Sequence, residues 1–342
     1  MGLIEKILSD EERQQARVVE MPDWRDPMLA TLTHEPFADE DWIFERKLDG
    51  ERALAYLDRD GQIRLLSRNQ KSLNVSYPEI VDALEAQALH GAIFDGEIVA
   101  FNDQNVSDFQ RLQPRMQASN RAEARSSRIR VYYYLFDCLY LQGHDISACS
   151  QRQRKQLLKA ALDWSDPLRW TPHRNTEGLT FYRQACTKGW EGVIAKQADA
   201  SYVSGRSRRW LKFKCIRQQE FVIGGFTEPQ GGRIGFGALL LGFYRDGALV
   251  YAGKVGAGFD DETLKRLHQR FDRLSRKTSP YDRGDPQGEG IHFLTPRLVC
   301  EVAFTEWTDD EHLRHPRFKG LRRDKVARDV HREDAARQPV NG

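Results

Sequence analysis

The sequence of 342 residues lacks the features that define several large classes of protein. It has no apolar run long enough to span a membrane. Its N-terminus, Met-Gly-Leu-Ile-Glu-Lys, lacks the small-residue cleavage site of a secretory signal. It contains no repeat, no Walker loop (G-x-x-x-x-G-K-[ST]) and no kinase glycine-rich loop. The two common phosphate cradles are therefore excluded.

Cysteine is also scarce. The five cysteines are dispersed along the chain, and none belongs to a Cys-x-x-Cys pair. An odd, scattered set argues for a reducing cytoplasm and against a zinc site. We therefore expect buried or unreactive thiols.

The net charge is only +2, but basic residues are concentrated in three stretches, 111–130, 201–217 and 312–332. The first has a single acid and the second has none. Local basic stretches on a near-neutral chain predict contact with a polyanion, although any one of them alone is better explained as a solvated surface. The candidates for nucleic-acid contact are Arg111, Arg115, Arg206, Arg208 and Arg209.

The pattern of residues changes near positions 215–219, where we place a domain boundary. Before it, alternating hydrophobicity predicts strands at 42–47, 52–57, 63–67, 93–101, 130–140, 192–196 and 209–214. Helices are predicted after Pro78, after a capping box that begins at Ser150, and from about Thr176 to Gly189. Beyond the boundary, short strands with glycine-rich turns around one helix predict a small β-barrel.

Lys47 begins the segment Lys-Leu-Asp-Gly-Glu-Arg, which ends at Arg52. By itself the segment is equally compatible with a surface turn, since Asp-Gly is a common turn pair. A lysine amine acts as a nucleophile when burial or a nearby cation lowers its pKa. A strand that ends at Lys47 places Glu45 on the same face, where its carboxylate could recognise the amino group of a base.

Two later strands offer an acid and an aromatic ring. Glu97 lies opposite the apolar face that Phe94 and Ile98 form, although alone it is better explained as a solvent-facing residue. Phe136 belongs to an aromatic stripe, which is more typical of a core but can stack on a purine.

Two further segments offer a second acid and several cations. Glu191 follows a predicted helix end, and Lys196 lies five residues on. Lys212 and Lys214 share one face of a strand whose other face is apolar, although a solvated edge strand remains the alternative. A lysine, two acids, an aromatic ring and these cations together predict phosphoryl transfer from a nucleoside triphosphate.

In this order and spacing, the segments resemble the covalent nucleotidyltransferase superfamily of ATP-dependent DNA ligases, RNA ligases and mRNA capping enzymes. The resemblance covers about residues 25–330 and rests on the segments 47–52, 67–69, 94–97, 134–140, 191–196 and 211–214. Residues 301–308 and 313–325 are similar to bacterial repair ligases, namely the ligase module of ligase D and the stand-alone ligase C.

The resemblance implies an α+β fold, in which a nucleotidyltransferase (adenylation) domain of antiparallel sheets and helices precedes an OB-fold β-barrel. We expect an N-terminal extension at 1–25, the adenylation domain at 26–216, the OB-fold at 217–330 and a flexible tail at 331–342. The chain has no room for the polymerase or phosphoesterase modules of ligase D, which favours a small stand-alone bacterial ligase.

The resemblance also implies the chemistry. Lys47 would attack ATP and carry AMP, which then activates a nick or break in duplex DNA for sealing, with Mg²⁺ (or Mn²⁺) as cofactor. The implied roles are adenine contacts for Glu45 and Phe136, ribose and metal contacts for Arg52 and Glu97, Mg²⁺ binding for Glu191, phosphate contacts for Arg68, Lys196, Lys212 and Lys214, and pyrophosphate orientation for Arg322, Asp324 and Lys325.

Other functions remain open at this point. Only 46 residues precede Lys47, too few for the extra domain of NAD-dependent ligases. RNA ligation and GTP capping are the competitors by chemistry, and a catalytically inactive DNA-binding protein is the alternative of another class. The resemblance further implies a monomer in the bacterial cytoplasm, associated with the nucleoid and not with a membrane. A Ku-like end-binding protein is the candidate partner that it suggests.

Overall fold

The computed structural model describes residues 2–215 and 217–333. The chain divides into two compact units, Met1–Cys215 and Ile216–Asp334. Most of the predicted flexible tail, from residue 334 onward, lies outside the described residues. In the part of the chain that is described, no helix is both long and apolar enough to cross a membrane.

The first unit mixes strands and helices. Its strands are β1 Arg17–Val18, β2 Met28–Leu32, β3 Trp42–Lys47, β4 Glu51–Leu57, β5 Ile63–Ser67, β6 Ala92–Val99, β7 Tyr132–Leu141, β8 His144–Asp145, β9 Leu168–Trp170, β10 His173–Asn175, β11 Gly192–Gln197 and β12 Gly205–Lys214. Its helices are α1 Leu3–Ile7, α2 Asp10–Arg13, α3 Pro78–Glu85, α4 Phe109–Met116, α5 Arg121–Ser126, α6 Gln151–Ala161 and α7 Gly178–Thr187.

These strands form two sheets, most of whose pairs are antiparallel. One has the order β1-β8-β7-β6-β4-β5 with β9 beside β7, and the other has the order β10-β3-β11-β12-β2. The parallel pairs are β7 with β9 and β12 with β2. Through β1, the segment predicted as an N-terminal extension pairs with the edge of the first sheet.

Local sequence patterns predicted several helices and strands correctly. The predicted strand 42–47 matches β3, and the predicted capping box opens α6. There the backbone N–H of Gln153 donates to Ser150 Oγ, and the backbone N–H of Ser150 donates to Gln153 Oε1. The prediction missed α4 and α5, which are short and largely polar. Asp108 and Asn120 cap them through their side chains, and this signal was present in the sequence.

A β-bulge interrupts the pairing of β6 with β7. Asp95 lies opposite Asp137 and Gly96 lies opposite Leu135, so Phe136 is the extra residue. A bulge ends the strict alternation of side chains and redirects the residues around it. The simple alternation predicted for the aromatic stripe therefore does not continue through Phe136.

The second unit has the strands β13 Arg217–Thr227, β14 Leu239–Arg245, β15 Ala248–Val255, β16 Ser275–Arg276, β17 Ile291–Phe304, β18 Glu306–Trp307, β19 Leu313–Arg314 and β20 Arg317–Leu321, with helix α8 Asp261–Phe271. The main sheet has the order β15-β14-β13-β17-β16, with β20 beside β17. Leu264, Leu267 and Phe271 of α8 are buried in its core. The predicted α+β class with a C-terminal β-barrel is confirmed.

The expectation of five unpaired cysteines is wrong. Cys186 at the end of α7 forms a disulfide with Cys215, 29 positions further along the chain. Cys138, Cys149 and Cys300 are free and buried, as expected. The partners do not stand in a Cys-x-x-Cys pattern, and only the packing of α7 against the second sheet brings them together.

Candidate active site

Lys47 lies at the end of β3, beside the start of β11. In the antiparallel pair Lys47 lies opposite Gly192, so Glu191, the residue before Gly192, lies next to Lys47. A side chain at Gly192 is excluded, because a Cβ there would lie 1.9 Å from the carbonyl oxygen of Phe213. Its φ of +154° is also one that residues other than glycine rarely adopt. Glycine thus allows three strands to close together behind the lysine.

Lys47 and Glu191 form an ion pair between Nζ and Oε2, and their side chains are 18% and 6% exposed. Burial alone would lower the pKa of Lys47, but the Glu191 carboxylate outweighs it and holds that pKa above its ordinary value. Burial would likewise raise the pKa of Glu191, whereas Lys47 and Lys214 bring it below the ordinary value. The resting state is therefore an ammonium held by a carboxylate.

Lys212 and Lys214 supply further positive charge at the same place. They stand opposite Ile194 and Gly192 in the pairing of β12 with β11. Both side chains are half-buried, while Phe213 between them is buried in the core. The charge of Lys214 acts on both Lys47 and Glu191. The predicted face of two lysines is confirmed, and it adjoins the Lys47–Glu191 pair.

Arg52 is held by a buried acid. Its Nε and Nη2 donate to Asp95 at 2.5 and 2.6 Å, and Asp95 is fully buried. The hydroxyl of Tyr202 donates to the same carboxylate at 2.7 Å. Burial by itself would lower the pKa of Arg52, but Asp95 raises it well above the ordinary value. Glu97 is half-buried and stands opposite Arg52 in the pairing of β4 with β6.

Phe136 is buried among cations and a second ring. The Arg52 guanidinium lies 4.6 Å from its centroid and the Lys196 ammonium 4.3 Å. Trp210 meets it edge to face, with 6.1 Å between the ring centroids. The ring therefore combines aromatic packing with cation–π attraction.

Glu45 is buried between two lysines. Lys155 Nζ, from α6, donates to its Oε1 at 2.5 Å, and Lys196 Nζ lies 2.8 Å from its Oε2. Lys196, which was expected to support phosphate binding, has its ammonium buried against this carboxylate and against aromatic rings. Burial by itself would raise the pKa of Glu45, but Lys155 and Lys196 hold it below the ordinary value.

The structure also shows the surroundings of the other residues expected to contact phosphates. Arg68 follows β5 and is half-buried. In the second unit, Arg322 donates to Glu301 at 3.0 Å and to Asp324 at 2.8 and 2.9 Å. Lys325 pairs with Glu220 at 2.9 Å.

Most of the arginines predicted to contact nucleic acid are exposed. Arg206, Arg208 and Arg209 are exposed on β12, and Arg111 on α4 forms a surface ion pair with Asp103. Arg115 is the exception, and the prediction for it is wrong.

Arg115 is 2% exposed and makes a bidentate ion pair with Glu79, at 2.7 and 2.8 Å. It also donates to the carbonyls of Ser76 and Ile129. Its guanidinium is therefore a structural link between α4 and α3, enclosed where a nucleic acid cannot reach it.

Comparison with known proteins identifies the family. The family model described as "ATP dependent DNA ligase domain" matches residues 27–214, and "ATP dependent DNA ligase C terminal region" matches residues 232–325. The chain belongs to the ATP-dependent DNA ligase family. Lys47, Glu191, Lys212 and Lys214 all lie within the first matched range of this ligase-family chain.

Individual relatives agree with the family. The "Multifunctional non-homologous end joining protein LigD" of Pseudomonas aeruginosa is 38% identical over 326 residues, which are 93% of this chain and 38% of that protein. Its counterpart in Mycobacterium tuberculosis is 35% identical over 314 residues, 90% of this chain and 40% of that protein. The chain thus spans about two fifths of the length of these relatives.

A solved structure is similar over nearly its whole length. The structure described as "mycobacterial DNA ligase D complexed with ATP and MES" is 33% identical to this chain, with a TM-score of 0.64. The match covers 90% of this chain and 98% of that one. The similarity extends the family assignment from the sequence to the fold.

Several residues of the ligase-family site were missed in the sequence. They are Lys155, which holds Glu45, Asp95 and Tyr202, which hold Arg52, and Trp210, which packs on Phe136. One signal was available for Lys155. It shares the buried side of α6 with Leu158, three residues on, and a cation on an apolar helix face needs a buried partner.

The acids of the site fit a metal that binds together with a nucleotide. Among residues 2–215 and 217–333, no group of three or more His, Cys, Asp or Glu side chains could form a complete metal cage. Mg²⁺ is commonly held by one or two carboxylates together with substrate phosphates. Glu97 and Glu191 are carboxylates that would supply oxygen ligands of this kind.

Proposed function

We propose that this chain is an ATP-dependent DNA ligase that seals breaks in duplex DNA through a covalent lysyl-AMP intermediate on Lys47. The observation that carries the proposal is the pairing of Lys47 with Glu191 beside Lys212 and Lys214. A nucleophilic lysine, a carboxylate and a pair of phosphate-binding cations are what attack on a nucleotide α-phosphate requires.

The residues act in sequence on the nucleotide. The Lys47 ammonium releases a proton to solvent, and its Nζ attacks the α-phosphorus of ATP, so that a P–N bond forms and the P–O bond to pyrophosphate breaks. Lys212 and Lys214 stabilise negative charge on the α-phosphate, and Phe136 stacks on the adenine. Arg52, fixed by Asp95, contacts the ribose. Arg68, Arg322 and Lys325 serve the remaining phosphates.

Glu97 and Glu191 are the residues that would hold Mg²⁺ (or Mn²⁺), which when bound would neutralise charge on the phosphates. The adenylate then passes from Lys47 to a 5′-phosphate in DNA, and a 3′-hydroxyl displaces AMP. Each step is a phosphoryl transfer in which the protein supplies position and charge.

The DNA is bound by exposed arginines of the first unit. Arg206, Arg208 and Arg209 lie on β12, the strand that also carries Lys212 and Lys214. Arginine side chains on one strand suit the phosphate backbone, whose contacts set affinity without reading sequence. Exposed Arg111 adds a further cation on α4.

The biological setting follows the relatives that are named for non-homologous end joining. We propose a repair ligase of the bacterial cytoplasm, associated with the nucleoid, which acts as a monomer on nicks or broken ends. A Ku-like end-binding protein is the proposed partner.

One experiment tests the central proposal. The purified chain is offered labelled ATP, GTP or NAD with Mg²⁺, and then nicked DNA or nicked RNA. We expect a covalent adduct from ATP alone and a sealed product from DNA. Lys47→Ala must abolish the adduct, whereas Lys265→Ala, which removes an exposed lysine of α8, must leave it unchanged. An adduct that survives in Lys47→Ala refutes the mechanism.

A further inference from the structure

The Glu45 carboxylate is enclosed by two lysines that come from two other elements. Glu45 belongs to β3, Lys155 to α6 and Lys196 to β11. The side chains of all three are 2–3% exposed. Each lysine contacts a different oxygen of Glu45, so the two lysines together fix the orientation of the carboxylate. Burying these charged groups costs desolvation free energy, which is recovered only when their geometry and hydrogen bonding are good.

The lysines are themselves held in place. Lys155 Nζ also donates to the backbone carbonyl of Thr171 at 2.9 Å, and it lies 5.0 Å from the ring centroid of Trp170. Lys196 Nζ lies over Phe136 and Trp210, at 4.3 and 4.2 Å from their ring centroids. Lys196 thus connects the Glu45 carboxylate directly to the ring that we propose stacks on the adenine.

Further buried polar atoms lie on the segment 170–173, which lies beside this cluster. His173 stands opposite Glu45 in the pairing of β10 with β3. His173 Nδ1, Thr171 Oγ1 and Trp170 Nε1 are buried and, among the described residues, have no hydrogen-bond partner. Either a bound polar ligand or ordered water would complete the hydrogen bonding of these atoms.

The charges around Glu45 determine its protonation state. Two ammonium groups surround one carboxylate, so Glu45 stays ionised and can only accept hydrogen bonds. A carboxylate has about four lone-pair directions, and the lysines occupy two. An amino group can donate a hydrogen bond to the remaining lone pairs. A carbonyl oxygen cannot, because it is itself an acceptor.

We propose that Lys155 is a positioning residue which, together with Lys196, fixes the Glu45 carboxylate as an acceptor for the 6-amino group of a purine and so selects adenine over 6-oxo purines. The inference rests on the proposed function and adds to it the origin of nucleotide selectivity. Lys155 touches neither the base nor the phosphates in this scheme. Its effect on selectivity passes through Glu45.

The test compares two nucleotides that differ at the base. Adduct formation by the full-length chain is followed with labelled ATP and with inosine triphosphate, whose base carries a 6-oxo group. KM and kcat are measured for Lys155→Met, for Lys155→Arg and for Lys159→Met. Lys159 is the matched control, because it lies one turn along α6 and 5.0 Å from the Trp170 ring centroid, but forms no ion pair with Glu45 in the described structure.

We expect Lys155→Met to raise KM for ATP about tenfold with little change in kcat, and to lower the ATP-to-inosine triphosphate ratio of kcat/KM about tenfold, the size of one hydrogen-bond contribution. Lys155→Arg should restore most of the ratio, and Lys159→Met should match the wild type. A folded Lys155→Met protein that loses activity equally on both nucleotides overturns the proposal, because a merely structural role predicts that result.

Glu45→Gln keeps the test decisive if Lys155→Met does not fold. Its amide can donate to a 6-oxo group, so preference for ATP must fall, and unchanged preference would overturn the proposal. A wild-type protein that forms no adduct with either nucleotide would instead refute the proposed function itself. The two failures are therefore distinguishable.

Discussion

Asp137 is the anchor that holds α6, and with it Lys155, against the first sheet. Its carboxylate receives Arg154 Nε at 2.7 Å and Arg154 Nη2 at 3.0 Å, and both side chains are completely buried. Gln151 donates to the same carboxylate at 3.0 Å. Arg154 Nη1 also donates to the carbonyls of Cys149 and Ala200.

Asp137→Ala leaves the Arg154 guanidinium buried with only neutral partners. Removing one member of a buried ion pair costs about 3–5 kcal/mol, a large part of the 5–15 kcal/mol that stabilises a typical domain. Asp82→Ala is the control, because Asp82 pairs with Arg125 at 2.7 Å on the surface, with side chains 47% and 53% exposed. An exposed pair of this kind contributes about 0–1 kcal/mol.

Urea denaturation followed by tryptophan fluorescence measures the difference. Six of the seven tryptophans precede residue 215, so the signal reports mainly on the first unit. Unfolding free energies that fall by the same small amount in Asp137→Ala and Asp82→Ala would refute the reasoning.

The same pair predicts a dependence on pH. Burial would raise the pKa of Asp137, but Arg154 more than offsets it, so the pKa in the folded state is lowered. A lowered pKa contributes stability that is complete above the unfolded value of about 3.9 and is lost as the pH falls through the folded value. The difference in unfolding free energy between wild type and Asp137→Ala should therefore be constant at neutral pH and should decrease only below about pH 4. If this difference decreases already near neutral pH, the lowered pKa of Asp137 is contradicted.

Three further predictions concern the chemistry and the surface. The kcat/KM for adduct formation at Lys47 should rise about tenfold per pH unit between about pH 6 and 9, since the raised pKa of Lys47 in the nucleotide-free protein keeps the amine protonated there; a flat pH profile of kcat/KM would contradict this. Thiol titration of the denatured, unreduced chain should find the three free cysteines, and one more in Cys186→Ser, whereas five in the wild type would exclude the disulfide with Cys215. Charge reversal of the three arginines in 206–209 should weaken nicked-DNA binding, measured by fluorescence anisotropy, and reduce its salt slope by about 3 without changing adduct formation; an unchanged slope would indicate a solvated face.

The sequence alone determined the parts of the site that depend on local order. The alternation of residues in β12 places Lys212 and Lys214 on one face whatever surrounds the strand. The capping box at Ser150 sets the start of α6 in the same way. The segment that begins at Lys47 supplied the candidate nucleophile, and its significance came from the segments that accompany it.

The tertiary structure alone decided which charges meet. Glu45 and Lys155 are 110 positions apart, so no local pattern could pair them. The bulge at Phe136 depends on the partner strand. Arg115 looked like a surface cation within a basic stretch, but packing enclosed it with Glu79. Periodicity and capping are set by neighbours in the chain, whereas burial and ion pairing are set by neighbours in space, and only the folded chain brings those together.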